Sequence, residues 1–137
     1  MSAPASAKPQ AGTLTPEQLD LVLRHVPVDV SFADEHGTLL YWHGGIFADC
    51  DAAFVGRHMN DCHAPKSRAT IDRMEAAFRD GSRDEAVFWH PEDDGRLYLY
   101  RYSAVRDAGG AYRGLLETVQ DITDIVGLEG ERLELDW

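Results

Sequence analysis

"EAVFWHPEDDGRLYLYRYSAVRDAGGAYRGLLETVQDIT", residues 85–123, decides the fold. Three runs with a period of two are separated by "PEDDG" and "DAGG", both rich in residues that reverse a chain. Successive side chains of a strand point to opposite faces. In the central run Tyr98, Tyr100, Tyr102 and Ala104 therefore share one face, and Leu97, Leu99, Arg101 and Ser103 the other. The spacing predicts three consecutive antiparallel strands. It leaves open which face is inner.

Working upstream, "KSRATIDRMEAAFRDG" changes the period from two to that of a helix. Ile71, Met74 and Phe78 stand at i, i+3 and i+7, Pro65 suits the first turn, and Gly81 is a natural stop. This predicts a helix over 66–80 whose apolar stripe packs on the sheet. The rest of the middle, from Gly44, reads as short helices and turns. Before it, "VDVSFADEHGTLLYW" alternates again, with Val28, Val30 and Phe32 between polar residues and "DEHG" as the turn of a hairpin. Before that, "TLTPEQLDLVLRHV" carries Thr15 as a cap, Pro16 at the first helical position and Gln18 at the third. Leu19, Val22 and Leu23 give this helix an apolar stripe. At the other end, "DIVGLEGERLELDW" reads as a short exit helix weakened by Gly127 and Gly130.

Two strands, a helical middle and three strands describe an α+β domain, a five-stranded antiparallel sheet with helices on one face. A chain of 137 residues with 44% hydrophobic content fits one such domain. The expected organisation is a disordered leader over 1–12 and a single domain over 13–137, with a flanking helix and an exit segment. No apolar run is long enough to span a membrane, and the start lacks the apolar core of a signal peptide. A cytoplasmic location is expected, with Cys50 and Cys62 as free thiols. Thirteen basic against twenty-four acidic residues give a formal charge of −11. From that field the expectation is that neither nucleic acid nor membrane is a partner.

The order of elements, together with "VGRHMNDCHAPKS", "VFWH", "YRYSAVRD", "LLETVQDIT" and "LEGERLELDW", resembles the PAS domain family. It is most similar to the PAS domain that closes a group of bacterial and archaeal proteins in which it often follows a hemerythrin-like domain. The resemblance covers about residues 13–137. It implies a PAS fold and a sensory or signalling role, with a cavity between the helical middle and the inner face of the sheet. Two departures stand out. The family has two prolines after the cysteine–histidine pair where this chain has Ala64 and Pro65, and "HGGIFADCDAAFVGR" is one residue longer than usual. Residues 1–12, ahead of the match, hold no hemerythrin-like domain.

Candidate chemistry centres on two sets of residues. Ile71, Met74 and Phe78 can form one wall of a ligand pocket and Phe88, Tyr100 and Tyr102 the other, with the tyrosine hydroxyls or His90 orienting a polar ligand. The competing set is His58, Cys62 and His63 in "RHMNDCHAP", imidazole and thiol groups suited to metal, haem or thiol redox chemistry. Haem or a bound metal is not the favoured cofactor reading. A structural zinc needs four ligands, there is no CxxC or HExxH pair, and the helix over 66–80 contains no histidine. The plainer reading makes Cys62 and His63 local structure at the helix start, with Ser67 or Asp61 satisfying free backbone N–H groups. Flavin photochemistry and nucleophilic catalysis lack their motifs, and Glu92, Asp93 and Asp94 belong to a solvated turn. The leading expectation is a non-catalytic sensory module that binds a small ligand or a signalling protein. The alternative is a redox or gas sensor centred on Cys62 and His63. A homodimer formed through the N-terminal helix is expected in either case.

Overall fold

The computed structural model describes residues 8–46 and 52–137. Most of the expected leader, and Cys50, lie outside the described residues. The order is α1 (Pro16–His25), β1 (Asp29–Asp34), β2 (Leu39–His43), a 3₁₀ turn (Met59–Cys62), α2 (Pro65–Asp80), β3 (Glu85–Pro91), β4 (Leu97–Arg106) and β5 (Tyr112–Asp121). The five strands form one sheet in the order β2-β1-β5-β4-β3, with every neighbouring pair antiparallel. The first and last strands are thus neighbours inside the sheet, while β2 and β3 are edges joined by the helical middle.

The predicted caps of α1 are present. Thr15 accepts from the Gln18 amide and the Gln18 side chain returns to the Thr15 amide, satisfying two donors that a helix start leaves open. Its apolar stripe is another matter, since Leu19 and Val22 are each half exposed.

In α2 Ile71, Met74 and Phe78 are buried as the spacing requires, and Gly81 ends the helix in a left-handed conformation with φ of 82°. Each such burial contributes roughly 1.5–3 kcal/mol. The core joins this stripe to Ala33, Met59, Tyr102, Ala104 and Leu115. Arg106, only 8% exposed, locks the far end of α2 to the sheet. Its guanidinium pairs with Asp84 at 2.9 Å and donates to the Phe78 carbonyl at 2.7 Å.

Two local expectations are corrected. The start of α2 has no side-chain cap from Ser67 or Asp61; Ala64 is the cap residue, and Pro65 removes one of the N–H groups that would need a partner. Arg68 bonds instead to the carbonyls of Asn60 and His63, and Asp61 pairs with Arg57. The segment after β5 is not helical beyond a few turn residues, because Gly127 and Gly130 interrupt it and its apolar side chains find no cover. In β1, where alternation alone leaves the inner face open, Asp29, Ser31 and Ala33 share the face toward the cavity, and Val30, also buried at 8% exposure, lies with Phe32 on the other. The ladder sets Ser31 opposite Glu117 and Ala33 opposite Leu115, which faces the core. The buried Asp29 carboxylate accepts from the Gly45 and Ile46 amides at 3.0 and 2.9 Å, so its burial is compensated.

Candidate functional site

Between the inner face of the sheet and the 3₁₀ turn and start of α2 lies a cavity of about 220 Å³. Ala33, Leu39, Met59, Ile71 and Leu115 make it mainly apolar. The polar groups enter at two places. On the floor, antiparallel pairing sets Ser31 beside Glu117 and Glu117 beside Tyr102, giving one polar row across β1, β5 and β4. On the rim stand Cys62 and His63.

The floor row is internally bonded. Tyr102 donates its hydroxyl to Glu117, and burial first, then the charge of that carboxylate, push the phenol well above its ordinary pKa. Tyr102 therefore remains a donor at any physiological pH. Tyr100 presents its ring to the cavity but sends its hydroxyl outward to Glu92 at the β3–β4 turn, and burial followed by that bond raises its pKa as well. Phe88 stacks edge-on against Tyr102, the ring centroids 5.9 Å apart.

On the rim, Cys62 Sγ and His63 Nδ1 both donate to the Met59 carbonyl, at 2.9 and 3.0 Å, and lie 4.0 Å from each other. The bond from Nδ1 makes Nε2 the basic nitrogen of His63. His58 is directed elsewhere. Its Nδ1 accepts from the Asn60 amide, capping the 3₁₀ turn, and its Nε2 lies beside Gly37, where a Cβ would come within 2.5 Å. Two of the three imidazole and thiol groups thus meet, and the third faces another part of the chain. Among the described residues no three His, Cys, Asp or Glu side chains converge as a metal site would require. The described donors do not by themselves form a metal site, and α2 contains no histidine that could serve a haem.

The other candidate residues separate by position along α2. Ile71, Tyr100 and Tyr102 line the cavity and also an adjoining groove with His63, Lys66, Ser67, Thr70 and Phe88. Met74 and Phe78 lie further along the helix, where they border a different surface cleft with Ala86 and Phe88. His90 lines none of these spaces. It sits exposed near the end of edge strand β3, with Nδ1 3.6 Å from Glu92.

Sequence reasoning missed Ser31, Ala33, Leu39, Met59, Leu115 and Glu117. A signal for two of them was present. In "LLETVQD" the alternation of Leu115 and Val119 carries Glu117 on the same face, so a buried apolar row announces an inward carboxylate.

Several solved structures share the architecture. A C-terminal domain from Streptococcus mutans is 30% identical, over 89% of this chain and 96% of that one, with a TM-score of 0.78. The PAS domain of a protein from Colwellia psychrerythraea is 17% identical, over 79% and 97%, with a TM-score of 0.58. VqmA of Vibrio cholerae, a dimer that has a target DNA and is grouped with LuxR-type receptors, is 21% identical over 85% of this chain and 55% of that one, with a TM-score of 0.59. No curated protein matches the chain.

The last of these structures corrects the expectation drawn from net charge. The same fold occurs in a receptor with a DNA target, so an acidic sum does not exclude nucleic acid as a partner. Formal charge adds over a whole surface, whereas phosphate contacts depend on local patches and on whatever else the protein contains.

The residues matched by the family model described as a PAS domain run from 19 to 123, spanning α1 from its fourth residue through β5. With the sheet order, the helix across it and this match in agreement, the chain belongs to the PAS domain family, whose members are generally non-catalytic sensory and signalling modules.

Proposed function

We propose that this PAS domain is a non-catalytic sensor that binds a small molecule in the cavity above Glu117 and passes the signal to a second copy through α1. The observation that carries this reading is the cavity itself. Protein interiors normally close on themselves, yet about 220 Å³ is left between the helix and the sheet, with a few placed polar groups in an apolar lining. VqmA bound to DPO is 20% identical to this chain, with a TM-score of 0.57, and supports ligand binding as a use of this fold.

Ala33→Leu tests it. Ala33 is 3% exposed and on the cavity wall. Filling an empty space is expected to stabilise the unliganded domain by about 0.5–2 kcal/mol, whereas overpacking a closed core costs about 1–3 kcal/mol. A panel of small metabolites is expected to contain at least one that raises the melting temperature of the wild type and not of the variant. A destabilised variant, or ligand responses equal in the two proteins, contradicts the reading.

The dimer follows from α1. Leu19, Leu21 and Val22 are each 49% exposed and lie on a helix that no other described element buries. A second copy is the simplest cover, because two-fold dimers are the commonest assembly. Light scattering of the full chain is expected to give a dimer that is lost when residues 1–26 are removed. A dimer unchanged by the truncation counts against α1 as the interface.

The narrower kinship with C-terminal PAS domains of hemerythrin-linked proteins is part of this proposal, supported by "CHAPKS" and "VQDIT". So is a cytoplasmic setting. No described helix is long and apolar enough to cross a membrane.

A further inference from the structure

Away from the cavity, two parts of the molecule match each other. The first is β3, which has β4 on one side and, among the described residues, no strand on the other. Such an edge presents a row of N–H and C=O groups that serves as a template for another strand. Its outward side chains Val87 and Trp89 are exposed, and Leu99 lies opposite Trp89 on β4. Its inward ones, Ala86 and Phe88, border a cleft against α2 that also holds Arg73 and Arg83. His63 and Lys66 stand on the adjoining groove. Glu85 is the acid of the cleft, and it is paired with Arg101 at 3.1 Å. The second part is the segment after β5. In "ERLELDW", residues 131–137, Leu133, Leu135 and Trp137 alternate with Arg132, Glu134 and Asp136, the pattern of a strand with one apolar and one charged face. All three apolar side chains are largely exposed.

We infer that residues 131–137 of a second copy add to β3 as a sixth strand, antiparallel, with Leu133 opposite Trp89 and Leu135 opposite Val87. The two segments are each seven residues long. Strand addition of this kind takes affinity from main-chain hydrogen bonds and specificity from alternate side chains. In this register both faces agree. On the outer face the tail leucines meet Trp89 and Val87, and Trp137 lies beside the pair of Glu85 and Arg101. On the inner face Glu134 falls opposite Phe88 and Asp136 opposite Ala86, the two residues that share the cleft with Arg73 and Arg83. Arg132 falls opposite His90, near Glu92 of the acidic turn, and exchanges its present exposed partner Asp136 for that carboxylate. Glu131 is the one acid of the segment that this register leaves near the turn. A shift by one residue would set Glu134 against Trp89 and Asp136 against Val87, away from Arg73 and Arg83. The occupant is a second copy because residues 124–137 are all exposed, so a copy's own tail does not cover its β3. This contact is distinct from the pairing through α1 and adds to it.

The test is self-association of the full chain, with substitutions confined to exposed side chains so that the fold is not at issue. Leu133→Lys combined with Leu135→Lys is expected to raise the dimer dissociation constant about tenfold or more in sedimentation equilibrium. Arg73→Glu is expected to raise it about threefold, and adding Glu134→Arg to restore it. In an equal mixture of isotope-labelled and unlabelled full chain, filtered NOE spectra are expected to show contacts from Trp89 of one copy to Leu133 of the other.

Association unchanged in the double leucine variant overturns the inference and leaves α1 as the interface. Contacts from Trp89 to Leu133 of its own copy alone overturn it as well, the tail then folding back on the domain that carries it. A dimer that survives removal of residues 1–26 yet weakens in the leucine variant supports the tail contact and counts against α1.

Discussion

Phe78→Ala is expected to destabilise the domain by about 3–5 kcal/mol, a large share of the stability of a small domain. Among the described residues Phe78 is the largest side chain completely withdrawn from solvent, at 0% exposure. It belongs to the cluster that joins Met74 and Ile71 of α2 to Tyr102, Ala104 and Leu115 of the sheet. Truncation removes apolar area and leaves a hole that α2 cannot collapse into, because Arg106 holds the Phe78 carbonyl and Asp84 together. Urea unfolding measures the effect. Phe88→Ala is the comparison, since that ring is 38% exposed and should cost clearly less. Similar losses for the two variants would mean that the helix does not bear on the sheet as described.

Gly114→Ala is expected to cost about 2–4 kcal/mol, although it adds only a methyl group. Gly114 lies in β5 opposite Asp34 of β1 and Val105 of β4, with φ of 150°. A Cβ there would come within 2.3 Å of the Ala33 carbonyl oxygen and 2.7 Å of the Phe32 ring. One neighbour is backbone of the paired strand, so relief requires β1 and β5 to separate at the centre of the sheet. Gly95→Ala provides the contrast. Its φ of 81° carries strain of about 1–2 kcal/mol, but nothing lies within 4 Å of the added carbon. Denaturant midpoints that fall equally for the two substitutions would contradict the close approach of β1 and β5 at this point.

Residues that act through local periodicity were legible in the sequence. "PEDDG" and "DAGG" separate β3, β4 and β5 because turn chemistry depends on neighbours along the chain. Ile71, Met74 and Phe78 share a helix face for the same reason, and Thr15 and Gln18 close a capping box within a single turn. The resemblance carried by these stretches pointed to the PAS family, to which the chain belongs.

Only the tertiary structure decided how these pieces meet. Alternation divides a strand into two faces but does not say which is covered. In β1 it set Val30 and Phe32 apart from Ser31 and Ala33, and pairing with β5 turned the second pair toward the core. Glu117 lines the cavity floor because three strands align Ser31, Glu117 and Tyr102 in one row, a register that no single segment encodes. His58, close to Cys62 in sequence, was parted from it when the chain turned its ring onto Gly37. Sequence alone thus determined the five strands, the two helices and their order, because those follow from short-range sterics and turn chemistry. The cavity, its polar row and the separation of the histidines belong to the tertiary structure, because they depend on packing between residues far apart in the chain.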